Sequence, residues 1–183
     1  MDLFIVVPIL FFSIVLHEFA HGYTAYRMGD DTAYLMGRLT LNPLKHVDII
    51  GTVAVPALCY VSGLPMFGWA KPVPVNAMRL PRPRKSMGLV GLAGPSANLL
   101  LAVLCAFFIK LVLVSGLLSP QGTAQTVKFL VYGLQINVLL AVFNLMPIPP
   151  LDGGHIVEAL LPLNAAVAYG RFFGRWGMYV VLG

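Results

Sequence analysis

A chain of 183 residues that is 58% apolar, 10% charged and +5 in net charge has too few charges to coat a water-facing surface, because a soluble domain carries about 25%. Its mean hydropathy of +0.85 excludes a disordered chain, and two cysteines in apolar runs, Cys59 and Cys105, exclude a disulfide-stapled secreted module. A polytopic membrane protein remains.

A membrane span needs about 20 mostly apolar residues. Residues 3–16 carry no charge, and their helical character continues through 17–26. No basic stretch precedes them, so the segment does not read as a cleavable signal peptide. Residues 34–41 (YLMGRLTL) alternate like a short strand. Residues 49–64 are uncharged but interrupted by Gly51 and Pro56, which predicts a kinked span or a re-entrant hairpin covered by protein. Segment 63–87 follows, with Lys71, Arg79, Arg82, Arg84 and Lys85 among its residues; within it, 71–76 (KPVPVN) predicts an extended, proline-limited edge strand.

The third apolar segment, 88–118, contains Asn98 and Lys110, and the fourth, 127–146, contains Gln135, Asn137 and Asn144. A fifth stretch, 156–170, follows the Pro/Gly-rich turn 147–154, and another apolar run begins after Arg175. Because 63–87 is basic and 115–126 is not, the former is expected in the cytoplasm and the latter outside. The basic residues thus read as topological, with the lipid bilayer as partner and no nucleic acid. The expected fold is an all-α polytopic bundle of about five to six transmembrane segments with a small juxtamembrane β element. It forms a single integral-membrane domain over 1–183 whose last span is incomplete.

The chemistry concentrates in His17-Glu18-Phe19-Ala20-His21. On a helix, positions i and i+4 share a face, so both imidazoles reach one ion, and Glu18 stands beside them to take a proton from water. The chain has only four histidines and two glutamates, and three of those six residues fall in this window. The competing reading is a helix end whose polar residues face water. Asp152 follows three prolines that end a helix and precedes Gly153 and Gly154, which permit an unusual turn. Such a broken segment at membrane depth lines a wet cavity or is buried, and it can present a carboxylate to a metal. Two histidines and a carboxylate leave a fourth position open, the arrangement of a catalytic zinc site. Asp152 also reads as a turn or helix N-cap.

Asn144 reads either as an oxyanion or substrate donor or as interhelical glue. Asn98, in Gly94-Pro-Ser-Ala-Asn98, lies among small residues suited to close helix packing. His46 reads as structural and Glu158 as solvated at a helix end. His155, three residues after Asp152, reads as a polar cap of the turn or as an extra ligand.

HEFAH at 17–21, GPSAN at 94–98 and NLMPIPPLDGG at 144–154 resemble, in order, the three signatures of the site-2 protease family of intramembrane zinc metalloproteases. GRLTLNPLKHVD (37–48) and GWAKPVPVN (68–76) resemble its compact prokaryotic branch. The resemblance implies one Zn²⁺ held by His17, His21 and Asp152, with Glu18 as general base. It also implies that Asn144 and the proline loop, Pro150 included, help hold the cleaved segment. His155 departs from the pattern, standing where the family commonly has a basic residue. The function implied is hydrolysis of peptide bonds in or beside the transmembrane segment of a membrane-protein substrate, in the cell membrane of a prokaryote. An extended edge at 34–41 or 71–76 would hold that substrate by β-augmentation. A pseudoprotease that binds membrane helices without cutting them, or a metal transporter, is the alternative; neither substrate nor oligomeric state is readable from the sequence.

Overall fold

The computed structural model describes residues 3–63 and 71–182 and is helical throughout its regular elements. Helix α1 spans Leu3–Arg27, α2 Thr32–Leu35, α3 Val55–Ser62, α4 Pro83–Ser115, α5 Pro120–Asn144, α6 Asp152–Leu160 and α7 Leu163–Leu182. Three of these, within α1, α4 and α5, are long and apolar enough to cross a membrane by length and composition. At 1.5 Å per residue α4 is about 50 Å long, well beyond a hydrocarbon core of about 30 Å. Five to six spans are therefore not found among the described residues.

Local chemistry sets the boundaries. Charges do not delay α4 until residue 88; it begins at Pro83, whose missing N–H suits the first helical position. Gly116, at φ 60°, ends it, and Ser119 caps α5 by accepting from the Gly122 amide at 3.2 Å. The expected external loop 115–126 thus shrinks to the four residues 116–119. Pro162 divides the fifth apolar stretch into α6 and α7. Within 49–64, residues Ile49–Ala54 form a wide π-type turn whose N-terminal amides, Ile50 and Gly51, are accepted by Asp48 at 3.0 and 2.7 Å. The helix α3 continues from it, while 64–70 lie outside the described residues.

No strand forms among the described residues. In 34–41, Gly37 takes φ 63°, and the Arg38 and Gly37 amides close back on the Ala33 and Tyr34 carbonyls, a helix-ending loop instead of an edge. Residues 71–76 join no ladder; the Lys71 amide donates to the His46 carbonyl at 2.9 Å, and the other partners are side chains. Arg38 donates to the Lys71 carbonyl at 2.7 Å, Glu18 accepts from the Val73 amide at 2.8 Å, and Asp30 accepts from the Asn76 amide at 2.6 Å. Pro72 and Pro74 have no amide to offer. This strap is fastened to the bundle by Leu80, which is buried with Ala25 and Val90; full burial of a leucine contributes roughly 1.5–3 kcal/mol. His46, fully buried, donates from Nε2 to the Thr40 carbonyl at 2.9 Å and so closes its own loop.

Asp30 is the strap's charged anchor. Burial opposes its ionisation, but the Thr32 hydroxyl, the Asn76 and Thr32 amides and the nearby Arg79 guanidinium outweigh that and hold its pKa below the ordinary value. A folded pKa below the unfolded one means the tie is fully present above the unfolded value of about 3.9 and is lost as pH falls through the folded one. Hydrogen exchange at 71–80 should therefore accelerate on acidification below pH about 4. Asp30→Asn should cost about 1–2 kcal/mol of local stability already at pH 7 and remove that acid response. An unchanged acid response in the variant would mean another group anchors the strap.

The long helices meet where side chains are absent. α4 packs on α1, α5 and α6, and Gly88, Gly91 and Gly94 form one ridge at a spacing of three. Added Cβ atoms there would fall 2.4 Å from the Ala159 Cβ, 3.0 Å from the Asp152 carbonyl oxygen and 2.4 Å from His21 Nε2, respectively. Lipid-embedded helices gain little from burying apolar surface against one another, so such close backbone approach is what holds them.

Candidate metal centre

His17 and His21 lie one turn apart on the buried face of α1, with ring centroids 4.5 Å apart and planes at 84°. α6 delivers Asp152 from its first position, with Leu151 as N-cap. Of the two readings of Asp152, the structure shows a carboxylate turned to the histidines: Oδ2 is 3.1 Å from His17 Nε2, and Oδ1 is 3.3 Å from His21 Nε2. One donor atom from each of the three residues lies within 4.8 Å of the others. The approach depends on glycine. A Cβ on Gly153 would meet the Leu145 and Met146 carbonyl oxygens at 2.3 Å, so only a bare backbone lets α6 start against the end of α5.

The opposite ring edges fix the protons. His21 Nδ1 donates to the Val90 carbonyl at 2.7 Å, and His17 Nδ1 faces Asn98 Oδ1 at 2.6 Å. With each Nδ1 carrying its hydrogen, both Nε2 atoms present bare lone pairs. The two Nε2 atoms lie 2.9 Å apart and both face the Asp152 carboxylate. Asp152 Oδ2 is buried and receives no hydrogen bond. Two imidazole lone pairs and a carboxylate aimed at one point repel one another unless a cation lies between them, and this donor set suits zinc.

Glu18 stands apart from the three donors, half-buried, and its Oε2 accepts the Val73 amide. Asn144 is turned onto its own helix, donating to the Leu140 carbonyl at 2.9 Å. Pro150 is exposed and follows a cis Pro149–Pro150 bond, while Pro149 packs on Gly154. The Tyr169 hydroxyl donates to the Pro147 carbonyl at 2.9 Å and ties α7 to this turn. His155 and Glu158 are both partly buried on α6. Three contributors escape a reading of the sequence. Asn98 does more than pack, since it touches a histidine; Asn137 backs Asn98; and Val73 acts through its amide, which no side chain advertises.

Apolar helices around an HEFAH turn and a facing carboxylate define a membrane metalloprotease. The family model for peptidase family M50 matches residues 115–180. The chain is 43% identical over 169 residues to "Putative zinc metalloprotease YwhC" of Bacillus subtilis, covering 88% of this chain and 74% of that one. It is 35% identical over 175 residues to "Putative zinc metalloprotease Rip2" of Mycolicibacterium smegmatis, covering 93% of this chain and 62% of that one. The Mycobacterium tuberculosis Rip2 is 37% identical over 149 residues, which is 80% of this chain and 53% of that one. No solved structure matches the chain. The chain belongs to peptidase family M50, the site-2 protease family, and it is a metalloprotease with zinc as its cofactor.

Proposed function

We propose that this chain cleaves peptide bonds in or beside the transmembrane segment of a membrane-protein substrate, with His17, His21 and Asp152 holding one zinc ion. The observation that carries this reading is the convergence of two bare Nε2 lone pairs on α1 and an unsatisfied carboxylate oxygen of Asp152, in a bundle whose α1, α4 and α5 are long enough to span a bilayer. When bound, zinc polarises the scissile carbonyl and lowers the pKa of a water toward about 7. Glu18 accepts that water's proton and delivers it to the leaving amine. The Val73 amide holds one carboxylate oxygen of Glu18, which orients the other. His17 and His21 keep their orientation through Asn98 and Val90. Asn144 and Pro150, at the two ends of the turn leading to Asp152, are assigned to holding the cleaved segment.

A helical substrate hides its backbone in hydrogen bonds, so it must unwind before attack. The experiment is cleavage of a single-pass candidate substrate by the purified chain in proteoliposomes, with product termini mapped by mass spectrometry. Cuts should fall within or next to the substrate's apolar segment, and a zinc chelator should abolish them, with added zinc restoring them. Cleavage that survives chelation, or only in soluble loops far from the apolar segment, would sink the proposal.

The orientation follows from the basic residues, which resist translocation in short loops. We place 63–87 in the cytoplasm and the α4–α5 turn outside, in the cell membrane of a bacterium. Cysteine at Gln121 should react with an impermeant thiol reagent from outside, and cysteine at Arg82 should not. The opposite labelling pattern reverses the topology.

A further inference from the structure

We infer that Asn137 on α5, which touches neither histidine, is a positioning residue that fixes which nitrogen of His17 is free to bind zinc, acting through Asn98 on α4. A chain of forced hydrogen-bond directions carries this. The Gly133 carbonyl can only accept, so the Asn137 group facing it at 2.9 Å must be its amide nitrogen. That nitrogen's second hydrogen goes to Ser13 Oγ on α1, also at 2.9 Å. Asn137 therefore turns its oxygen to Asn98, whose Nδ2 donates to it at 2.8 Å and leans toward the Ser13 carbonyl at 3.4 Å. Asn98 is left with only its oxygen for His17, at 2.6 Å, and an oxygen there demands a hydrogen on Nδ1.

Every link is buried: Asn98 is 0%, Ser13 1% and Asn137 3% exposed. Two carboxamides at a three-helix junction are costly in an apolar interior unless fully paired. Hydrogen bonding across helices would account for a paired carboxamide, but it does not require that every bond in the chain run in one direction toward His17. With an apolar residue at 137, Asn98 loses the nearer of its two acceptors and keeps only the 3.4 Å contact to the Ser13 carbonyl, a weak hold. Only that long contact then opposes rotation of the amide to offer an N–H to His17 Nδ1. The ring hydrogen would move to Nε2 and occupy the lone pair that the metal needs.

This inference rests on the proposed role of His17 as a ligand, and the test separates the two. The full chain, with and without Asn137→Leu, is prepared metal-free and labelled with ¹⁵N-histidine, and its zinc affinity is titrated against a competing chelator. In the wild type the His17 proton should be on Nδ1. In Asn137→Leu it should shift toward Nε2, and zinc should bind about 10–100-fold more weakly, the usual effect of losing such a partner. Asn98→Asp supplies an acceptor that cannot rotate into a donor. On that background Asn137→Leu should change zinc affinity by less than about two-fold. A variant that lowers thermal stability but keeps both the Nδ1 proton and wild-type zinc affinity would overturn the inference and make Asn137 mere interhelical glue. Undiminished zinc binding by His17→Ala would instead sink the ligand assignment, and the tautomer measurement would still decide the role of Asn137.

Discussion

Glu18→Gln should bind zinc as the wild type does, capture substrate, and lose its cleavage. The substitution keeps the side chain's shape and removes the proposed proton acceptor. General base catalysis is worth about 10²–10⁴-fold, so turnover should fall at least that far. Zinc should stay, because the three converging donor atoms come from His17, His21 and Asp152 and not from Glu18. Alanine at any of those three should do the reverse and release the metal, since each deletes one of the three proposed ligands. Zinc per protein by mass spectrometry, read beside initial cleavage rates, checks both arms. A transporter would show altered metal flux in Glu18→Gln and no cleavage in the wild type. A pseudoprotease would capture substrate in both and cut in neither. Wild-type turnover by Glu18→Gln removes Glu18 from the base role.

Gly94→Ala should disable the centre without touching a ligand. Its new Cβ would fall 2.4 Å from His21 Nε2 and 2.6 Å from His17 Nε2, inside the space where the metal donors meet. Both rings are held from behind by Asn98 and Val90, so neither can retreat without breaking a buried hydrogen bond. α4 would have to move away from α1 instead, at the cost of about 1–3 kcal/mol typical of overpacking. Zinc affinity should drop by at least about 100-fold, the upper end for disturbed metal surroundings, while far-ultraviolet circular dichroism stays helical. Gly170→Ala is the matched control, since nothing lies within 4 Å of a Cβ there. Normal zinc affinity in Gly94→Ala would mean that α4 is not packed against the ligands as described.

The three residues that the structure brings together are legible in the sequence because their signals are local. Two histidines four apart and an aspartate between a proline run and two glycines are recognisable wherever the chain goes. Helix type was equally legible for α1, α4 and α5, whose apolar runs exceed what any strand needs. The strand at 34–41 was misread because its alternation is interrupted by Gly37, and a positive φ there turned the chain instead of extending it. The 71–76 segment joins no ladder, because proline spacing says nothing about partners, and these are the His46 carbonyl and the side chains of Glu18, Asp30 and Arg38. Asn98 and Asn137 look alike in sequence, as polar residues in apolar runs. Their pairing across 39 residues exists only once α4 and α5 lie side by side.

The centre's donors come from opposite ends of the chain, and that has a consequence for biosynthesis. α1, with both histidines, leaves the ribosome long before the first turn of α6 can bring Asp152. At a synthesis rate of about 5–20 residues per second, the gap is on the order of ten seconds. Throughout it, the nascent chain has two imidazoles but no carboxylate to complete the set. Under the proposed assignment the metal set therefore stays incomplete while the segments between α1 and α6 are still threading into the bilayer.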